Sequence, residues 1–240
     1  MIKNAIMLTG GTGSRLLPFT KLISKHLLGV NGKMIIDYPI KTLTDMGIQN
    51  LTIVVGSSFS GQILDYVQDG SQFGLNVNYC YQQKPQGIAQ AINICKRYVA
   101  DDDQFVIILG DNLFTNPIKW NVNNTNAQIV LCEHNELQKF GVASVNQEGK
   151  IQYFIEKPKA INYAYNNYAI SGCYLFDQEF FKYFTGIVPS DRGEYEIVEI
   201  IKQYHKNNKL SYIIQDGLWS DAGTHESIAY LNNYFYKQVK

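Results

Sequence analysis

Leu8-Thr9-Gly10-Gly11-Thr12-Gly13-Ser14-Arg15-Leu16-Leu17-Pro18-Phe19-Thr20 is the stretch on which the fold turns. It continues a short apolar run that begins at Ile2, and a buried run that breaks at clustered glycines reads as a strand feeding a flexible turn. That is the opening of an α/β sheet. Glycines without a Cβ let a polyphosphate come close to bare backbone N–H groups, so the turn is a candidate phosphate cradle. A plain tight turn fits the same residues, and the stretch alone leaves both readings open. No Lys-Ser/Thr pair stands at Walker A spacing, and Leu16 occupies the place of the third glycine of a dinucleotide fingerprint. What remains is a glycine-rich turn followed by two cations, Arg15 and Lys25, able to hold a leaving pyrophosphate.

Downstream, helix and strand signals alternate. Met34 to Met46 has apolar residues at helical spacing with Gly47 as its C-cap, and Leu51 to Val55 is β-branched. Helices over Gly61 to Gln68 and Ala89 to Tyr98 alternate with strands over Val77 to Tyr81 and Phe105 to Leu109, which predicts a mostly parallel sheet. Beyond Asp111 the extended segments crowd together: Gln128 to Cys132, Val142 to Val145, Ile151 to Ile155 and Tyr168 to Phe176. These predict antiparallel additions. Helices over Glu179 to Phe184 and Tyr195 to His205, a final strand over Leu210 to Ile214 and an amphipathic helix from Glu226 complete one domain, 1–240. The polar stretch 121–126 reads as a loop.

Composition narrows the function. Lys+Arg and Asp+Glu balance at 21 each, so no basic excess draws the chain to nucleic acid. Phosphate chemistry must then come from a few cations in a pocket. Cys80, Cys95, Cys132 and Cys173 show no metal or redox spacing and read as reduced core residues. No run approaches the ~18 apolar residues of a membrane span, and no secretory leader is evident, so the cytoplasm is the expected location.

Asp111 closes an apolar strand, which puts a carboxylate at the carboxyl edge of the sheet, where α/β folds place ligands. Asp221 is expected in a turn after a separate strand. Two carboxylates plus substrate phosphate suffice for magnesium, although aspartate is also a common turn former. In Gln82-Gln83-Lys84-Pro85-Gln86-Gly87, a side-chain amide supplies one donor and one acceptor, matching the edge of thymine or uracil, and Gly87 leaves room for a base plane. A polar loop is the alternative there, and Gln83 is the reader if the register slips. Glu156-Lys157-Pro158 pairs a carboxylate for sugar hydroxyls with a cation for a sugar phosphate, although such a triplet is also common on solvated surfaces. His26 and His225 read as structural.

The string from Leu8 to Thr20 with Lys25-His26-Leu27-Leu28 resembles the signature of glucose-1-phosphate thymidylyltransferases and related sugar nucleotidyltransferases. Further matching segments follow in the same order: Gln82 through Gln90, Leu109-Gly110-Asp111-Asn112, Glu156-Lys157-Pro158, Arg192-Gly193-Glu194 and Trp219 through His225. The resemblance implies a Rossmann-like, GT-A-like nucleotidyltransferase fold with a mixed, mostly parallel sheet flanked by helices. It also implies transfer of a nucleotidyl group from dTTP to glucose-1-phosphate, giving dTDP-glucose and pyrophosphate for deoxysugar or polysaccharide precursors.

By the same resemblance, Asp111 and Asp221 bind Mg²⁺, and Arg15 and Lys25 are catalytic. Leu8, Gly10, Gly11, Gly13, Ser14, Gln82, Gly87 and Asp111 hold the nucleotide, while Gly141, Glu156, Lys157 and Gly172 hold the sugar phosphate. Arg192, Glu194 and Trp219 are expected in the pocket wall. Thr9, Ser14, Gly29, Gln86 and Ala222 depart from the family pattern without removing an assigned charge. Thymine and uracil differ by one methyl, worth only ~1–3 kcal/mol in a pocket, so UTP- or CTP-dependent transfer is the nearest alternative. A non-catalytic sugar-nucleotide-binding regulatory protein is the other, and such a protein is expected to lose Arg15, Lys25 or an aspartate, all of which are present. The family implies a homo-oligomer, dimer or tetramer, with the Tyr- and Phe-rich last helix as interface or as core packing. The short form it resembles implies weak or absent feedback by a dTDP-sugar.

Overall fold

The computed structural model describes residues 2–99, 104–121 and 126–238. In chain order the strands are β1 (Asn4–Leu8), β2 (Gly29–Val30), β3 (Lys33–Met34), β4 (Asn50–Val55), β5 (Asn76–Tyr81), β6 (Gln104–Leu109), β7 (Asn112–Phe114), β8 (Ala127–Cys132), β9 (Gly141–Val145), β10 (Ile151–Glu156), β11 (Asn166–Asp177), β12 (Leu210–Ile214) and β13 (Trp219–Asp221). The helices are α1 (Asp37–Asp45), α2 (Ser60–Val67), α3 (Ile88–Asn93), α4 (Glu179–Phe184), α5 (Ile197–Lys206) and α6 (His225–Gln238).

A mixed nine-stranded sheet runs in the order β10-β9-β11-β6-β1-β4-β5, with β8 on β11 and β12 on β8. β5, β4, β1 and β6 pair in parallel. β11 then runs antiparallel to β6, β8 and β9, and β10 antiparallel to β9. The alternation of side chains along each strand divides the core into two layers. Ile6, Leu8, Phe105 and Ile107 face α3, α4 and α5, whereas Ala5, Met7, Val106 and Ile108 face α1 and α2. A satellite cluster of Val30, Ile35, Leu113, Ala222 and Leu231 lies under α6.

β1 is the switch point: the chain leaves it for β4 and β5 on one side and returns to β6 on the other. The four parallel strands therefore end on one edge, delivering Gly10, Gly56, Gln82 and Asp111 to the crevice outside it.

Several expectations need correction. The helix expected from Met34 begins at Asp37, because Lys33–Met34 pairs with Gly29–Val30 in a small hairpin. The helix expected over Ala89 to Tyr98 ends at Asn93, where the Cys95 N–H bonds the Ile92 carbonyl and the chain tightens into a 3₁₀ turn over Lys96–Tyr98. Asp221 does not sit in a turn: it ends β13, a strand beyond β12, which was expected to be the last. β13 pairs antiparallel with β7. The part of the expected loop at 122–125 lies outside the described residues. All four cysteines are buried and free.

Candidate active site

The glycine-rich segment leaves β1 irregularly and closes into a 3₁₀ turn over Ser14–Leu16, with Gly13 left-handed at φ 67° as its cap. Among the described residues none accepts a hydrogen bond from the backbone N–H of residues 11–15, so these donors are unspent. Gly10 is small for a reason: a Cβ there would come within 2.7 Å of Gln82 Oε1. Gln82, buried at the end of β5, donates from Nε2 to Gln90 Oε1 at 2.7 Å, which fixes its amide. Gly87 holds φ 96° at the start of α3, and a Cβ there would strike the Tyr195 backbone.

Asp111 lies just past β6, and its side chain ion-pairs with Lys25. Burial raises the Asp111 carboxyl, but the Lys25 charge together with the hydrogen bonds from Lys25 and Asn112 outweighs it and holds the group well below the usual carboxylate range. The next residue is the organiser of this corner. Buried Asn112 donates from Nδ2 to Asp111 Oδ1 at 3.0 Å, and its Oδ1 accepts from the Gly172 N–H at 2.9 Å and from Trp219 Nε1 at 2.7 Å.

The β7–β13 ribbon pairs Asn112 with Asp221, and the Ala222 N–H donates to the Asp111 carbonyl at 2.8 Å. Two carboxylates from segments more than a hundred residues apart thus reach one place. Burial, then the Asp111 charge, pushes the Asp221 carboxyl up, opposed by Arg15 and Lys25. Arg15 Nη2 stands 3.8 Å from Asp221 Oδ2 on a half-exposed side chain. Gly223 makes that approach possible, since a Cβ there would lie 2.8 Å from both atoms.

On the far side of β6, the antiparallel strands bring up a second set. Gly141 pairs with Glu156 across β9 and β10, and the missing Cβ leaves room for Glu156 Oε2. Burial and the nearby Glu196 push the Glu156 carboxyl up, against the pull of Lys157 and Arg192. Lys157 takes a left-handed φ of 44°, a strain of ~1–3 kcal/mol for a non-glycine residue, held in part by its N–H bond to the Phe140 carbonyl at 3.0 Å. Arg192 reaches Glu156 at 3.3 Å and Glu196 at 2.7 Å.

Two adjoining cavities result. One of about 260 Å³ is lined by residues including Leu8, Gly10, Gly11, Lys25, Gln82 and Gly87. The other, about 620 Å³, includes Ser14, Arg15, Gly141, Gly172, Trp219 and Asp221. Asp111, Glu156 and Lys157 border both, so the two form one cleft with the Asp111 carboxylate at the junction. Gly13 lines neither and instead accepts from the Thr20 hydroxyl at 2.7 Å, behind the loop. Gly172 lines the second cavity, but its N–H is committed to Asn112. His26 is buried, bonded to Ser24, and pulled down to about 3 by burial and the Lys25 charge, so it is neutral. His225 Nε2 meets the Leu17 carbonyl at 2.8 Å.

The donor set at the junction suits a small hard cation. Asp111 and Asp221 are two crowded carboxylates, and the described residues contain no cluster of three or more metal-binding side chains. Mg²⁺ commonly takes its remaining ligands from substrate phosphate and water.

A family model described as nucleotidyl transferase matches residues 4–238. The chain is 33% identical over 233 residues to a low-salt glycan biosynthesis nucleotidyltransferase of Haloferax volcanii, covering 95% of this chain and 64% of that protein. It is 32% identical over 231 residues to a glucose-1-phosphate thymidylyltransferase of Neisseria meningitidis, covering 93% of this chain and 79% of that one. Among solved structures, a Bacillus anthracis protein assigned as a glucose-1-phosphate thymidylyltransferase, in complex with sucrose, superposes with a TM-score of 0.89 at 36% identity, over 98% of this chain and 95% of that one. A UDP-glucose pyrophosphorylase with UDP-glucose shares the fold with a TM-score of 0.84 at 22% identity, over 99% of this chain and 100% of that one. The family model over nearly the whole chain and relatives above 30% identity agree with the glycine loop and paired aspartates: this chain belongs to the nucleotidyl transferase family, among the sugar nucleotidyltransferases.

Proposed function

We propose that the chain transfers the nucleotidyl group of dTTP to glucose-1-phosphate, giving dTDP-glucose and pyrophosphate. The observation that carries this reading is the single cleft that gathers the glycine loop, Arg15, Lys25, Glu156 and Lys157 around the Asp111 carboxylate at its junction. Cations for a leaving group and a cation for an attacking phosphate thus share one cleft with the carboxylate. The Neisseria and Bacillus relatives support the choice of thymidine and glucose.

In this reading an oxygen of the sugar phosphate attacks the α-phosphorus, and the bond to the departing pyrophosphate breaks in line. No protein nucleophile is needed, and the residues act by positioning and by neutralising charge. The Gln82 amide, fixed by Gln90, presents Oε1 and its second N–H to the N3–H and O4 edge of the base. The loop N–H groups, Arg15 and Lys25 receive the pyrophosphate. Lys157 orients the attacking phosphate while Glu156 accepts from sugar hydroxyls. Asp111 and Asp221 would hold Mg²⁺, which when bound supplies charge neutralisation at the phosphates.

Pyrophosphate release with glucose-1-phosphate, Mg²⁺ and each of dTTP, UTP, CTP, ATP and GTP tests the proposal. A preference for dTTP is expected. Preference for UTP would keep the chemistry and overturn the base, whereas silence with all five while the nucleotide still binds would favour a sugar-nucleotide sensor.

A further inference from the structure

Both oxygens of Asp111 are already engaged. Lys25 Nζ donates to Oδ2, and Asn112 Nδ2 donates to Oδ1 at 3.0 Å. The Lys25 and Asp111 side chains keep only 14% and 10% of their exposure, so this pair is shielded from the screening that makes surface ion pairs weak. A cation arriving at Oδ2 meets the Lys25 ammonium beside it, and repulsion between the two positive charges favours Lys25 leaving as the cation binds.

Lys25 has somewhere to go. A Cβ on Gly11 would stand 3.4 Å from Lys25 Nζ, so the ammonium lies directly against the glycine loop whose N–H groups at residues 11–15 are unspent among the described residues. One lysine therefore sits between the carboxylate that would bind a metal and the loop that would bind a polyphosphate. A buried carboxylate left without a counter-charge is costly, which favours an exchange of cations over a state with none.

We propose that Lys25 is a tethered stand-in for the divalent cation: it neutralises Asp111 in the ligand-free chain and passes to the outer phosphates as nucleotide enters, freeing Oδ2 for the metal. The proposal rests on the nucleotidyltransferase reading above. Its consequence is linkage: nucleotide tightens the metal site and, by reciprocity, metal tightens the nucleotide site by the same factor.

The test is Mn²⁺ binding to the full chain, measured by electron paramagnetic resonance and calorimetry, with and without α,β-methylene-dTTP. Wild type is expected to bind Mn²⁺ about tenfold or more tightly with the analogue than without it. Lys25→Met should bind Mn²⁺ without nucleotide about tenfold more tightly than wild type does, and gain less from the analogue than wild type does. Adding Asp111→Asn to Lys25→Met should abolish that gain. Lys25→Gln, which keeps a polar side chain but carries no charge, gives the same comparison through the Mn²⁺-dependent shift in Tm should Lys25→Met not fold. The proposal is overturned if neither Lys25 variant binds Mn²⁺ more tightly than nucleotide-free wild type. It is also overturned if wild type binds Mn²⁺ equally with and without the analogue. Analogue that binds without changing metal affinity defeats the stand-in alone, whereas no analogue binding at any Mn²⁺ concentration defeats the nucleotidyltransferase reading as well.

Discussion

Arg15 sits on a half-exposed side chain 3.8 Å from Asp221, an arrangement that adds little to folding and is available to a substrate. Arg15→Ala should therefore leave Tm nearly unchanged and lower kcat by about 10²-fold, with a smaller effect on the KM of the nucleotide. An intact kcat with a raised KM would assign Arg15 to ground-state binding. Glu156 behaves in the opposite way. Its folded carboxyl is pushed up by burial and by Glu196, so ionising it works against folding once the pH rises past the unfolded value of ~4.3. Glu156→Gln should raise Tm at neutral pH, and the difference should vanish in acid, where wild-type Glu156 is protonated in both states. The same change should raise the KM for the sugar phosphate about tenfold or more, through loss of a charged acceptor. Thermal melts across pH beside steady-state kinetics would show both effects, and a Tm that falls at neutral pH would refute the sign.

Small strands and glycines set the geometry at the next scale up. Gly87→Ala places a Cβ 2.6 Å from the Tyr195 carbonyl oxygen at φ 96°, a collision with backbone that cannot be relieved by a rotamer. It should destabilise by more than ~1 kcal/mol in denaturant unfolding. Gly223→Ala first meets the ends of the Arg15 and Asp221 side chains, which can shift. It should reduce kcat with little change in stability, and equal losses of stability in the two variants would contradict that distinction. Asp111 and Glu156 were expected in the site on the family resemblance, since alone they read as readily as a turn former and a solvated charge, and the structure places both, with Arg15 and Lys25, around one cleft. Asn112 as an organiser was not, since its bond to Trp219 joins residues 107 apart. Nor was β13, because three residues, Trp-Ser-Asp, show no alternation and their partner β7 is equally short. Gly172 was expected to assist the sugar phosphate, yet its N–H is held by Asn112, a commitment visible only once β11 lies beside β6.

For the whole molecule, no net charge steers ligands, so recognition falls to one cleft at the carboxyl edge of the parallel strands. The order of strands was legible in part: alternating helices and strands up to Asp111 predicted the parallel block, and the close spacing afterwards predicted antiparallel additions. The insertion of β11 between β6 and β9 was not, because pairing order across a sheet is set by long-range packing. Across that inserted strand, the Glu156–Lys157 corner still lines the same cavity as Gly10 and Gly11. The decisive measurement is the fate of dTTP labelled at its α-phosphorus when mixed with glucose-1-phosphate and Mg²⁺. Wild type should carry the label into a nucleotide sugar with one equivalent of pyrophosphate released, and Asp111→Asn should carry essentially none. Label that remains in bound but intact dTTP, or an Asp111→Asn variant as active as wild type, would contradict the mechanism built on this cleft.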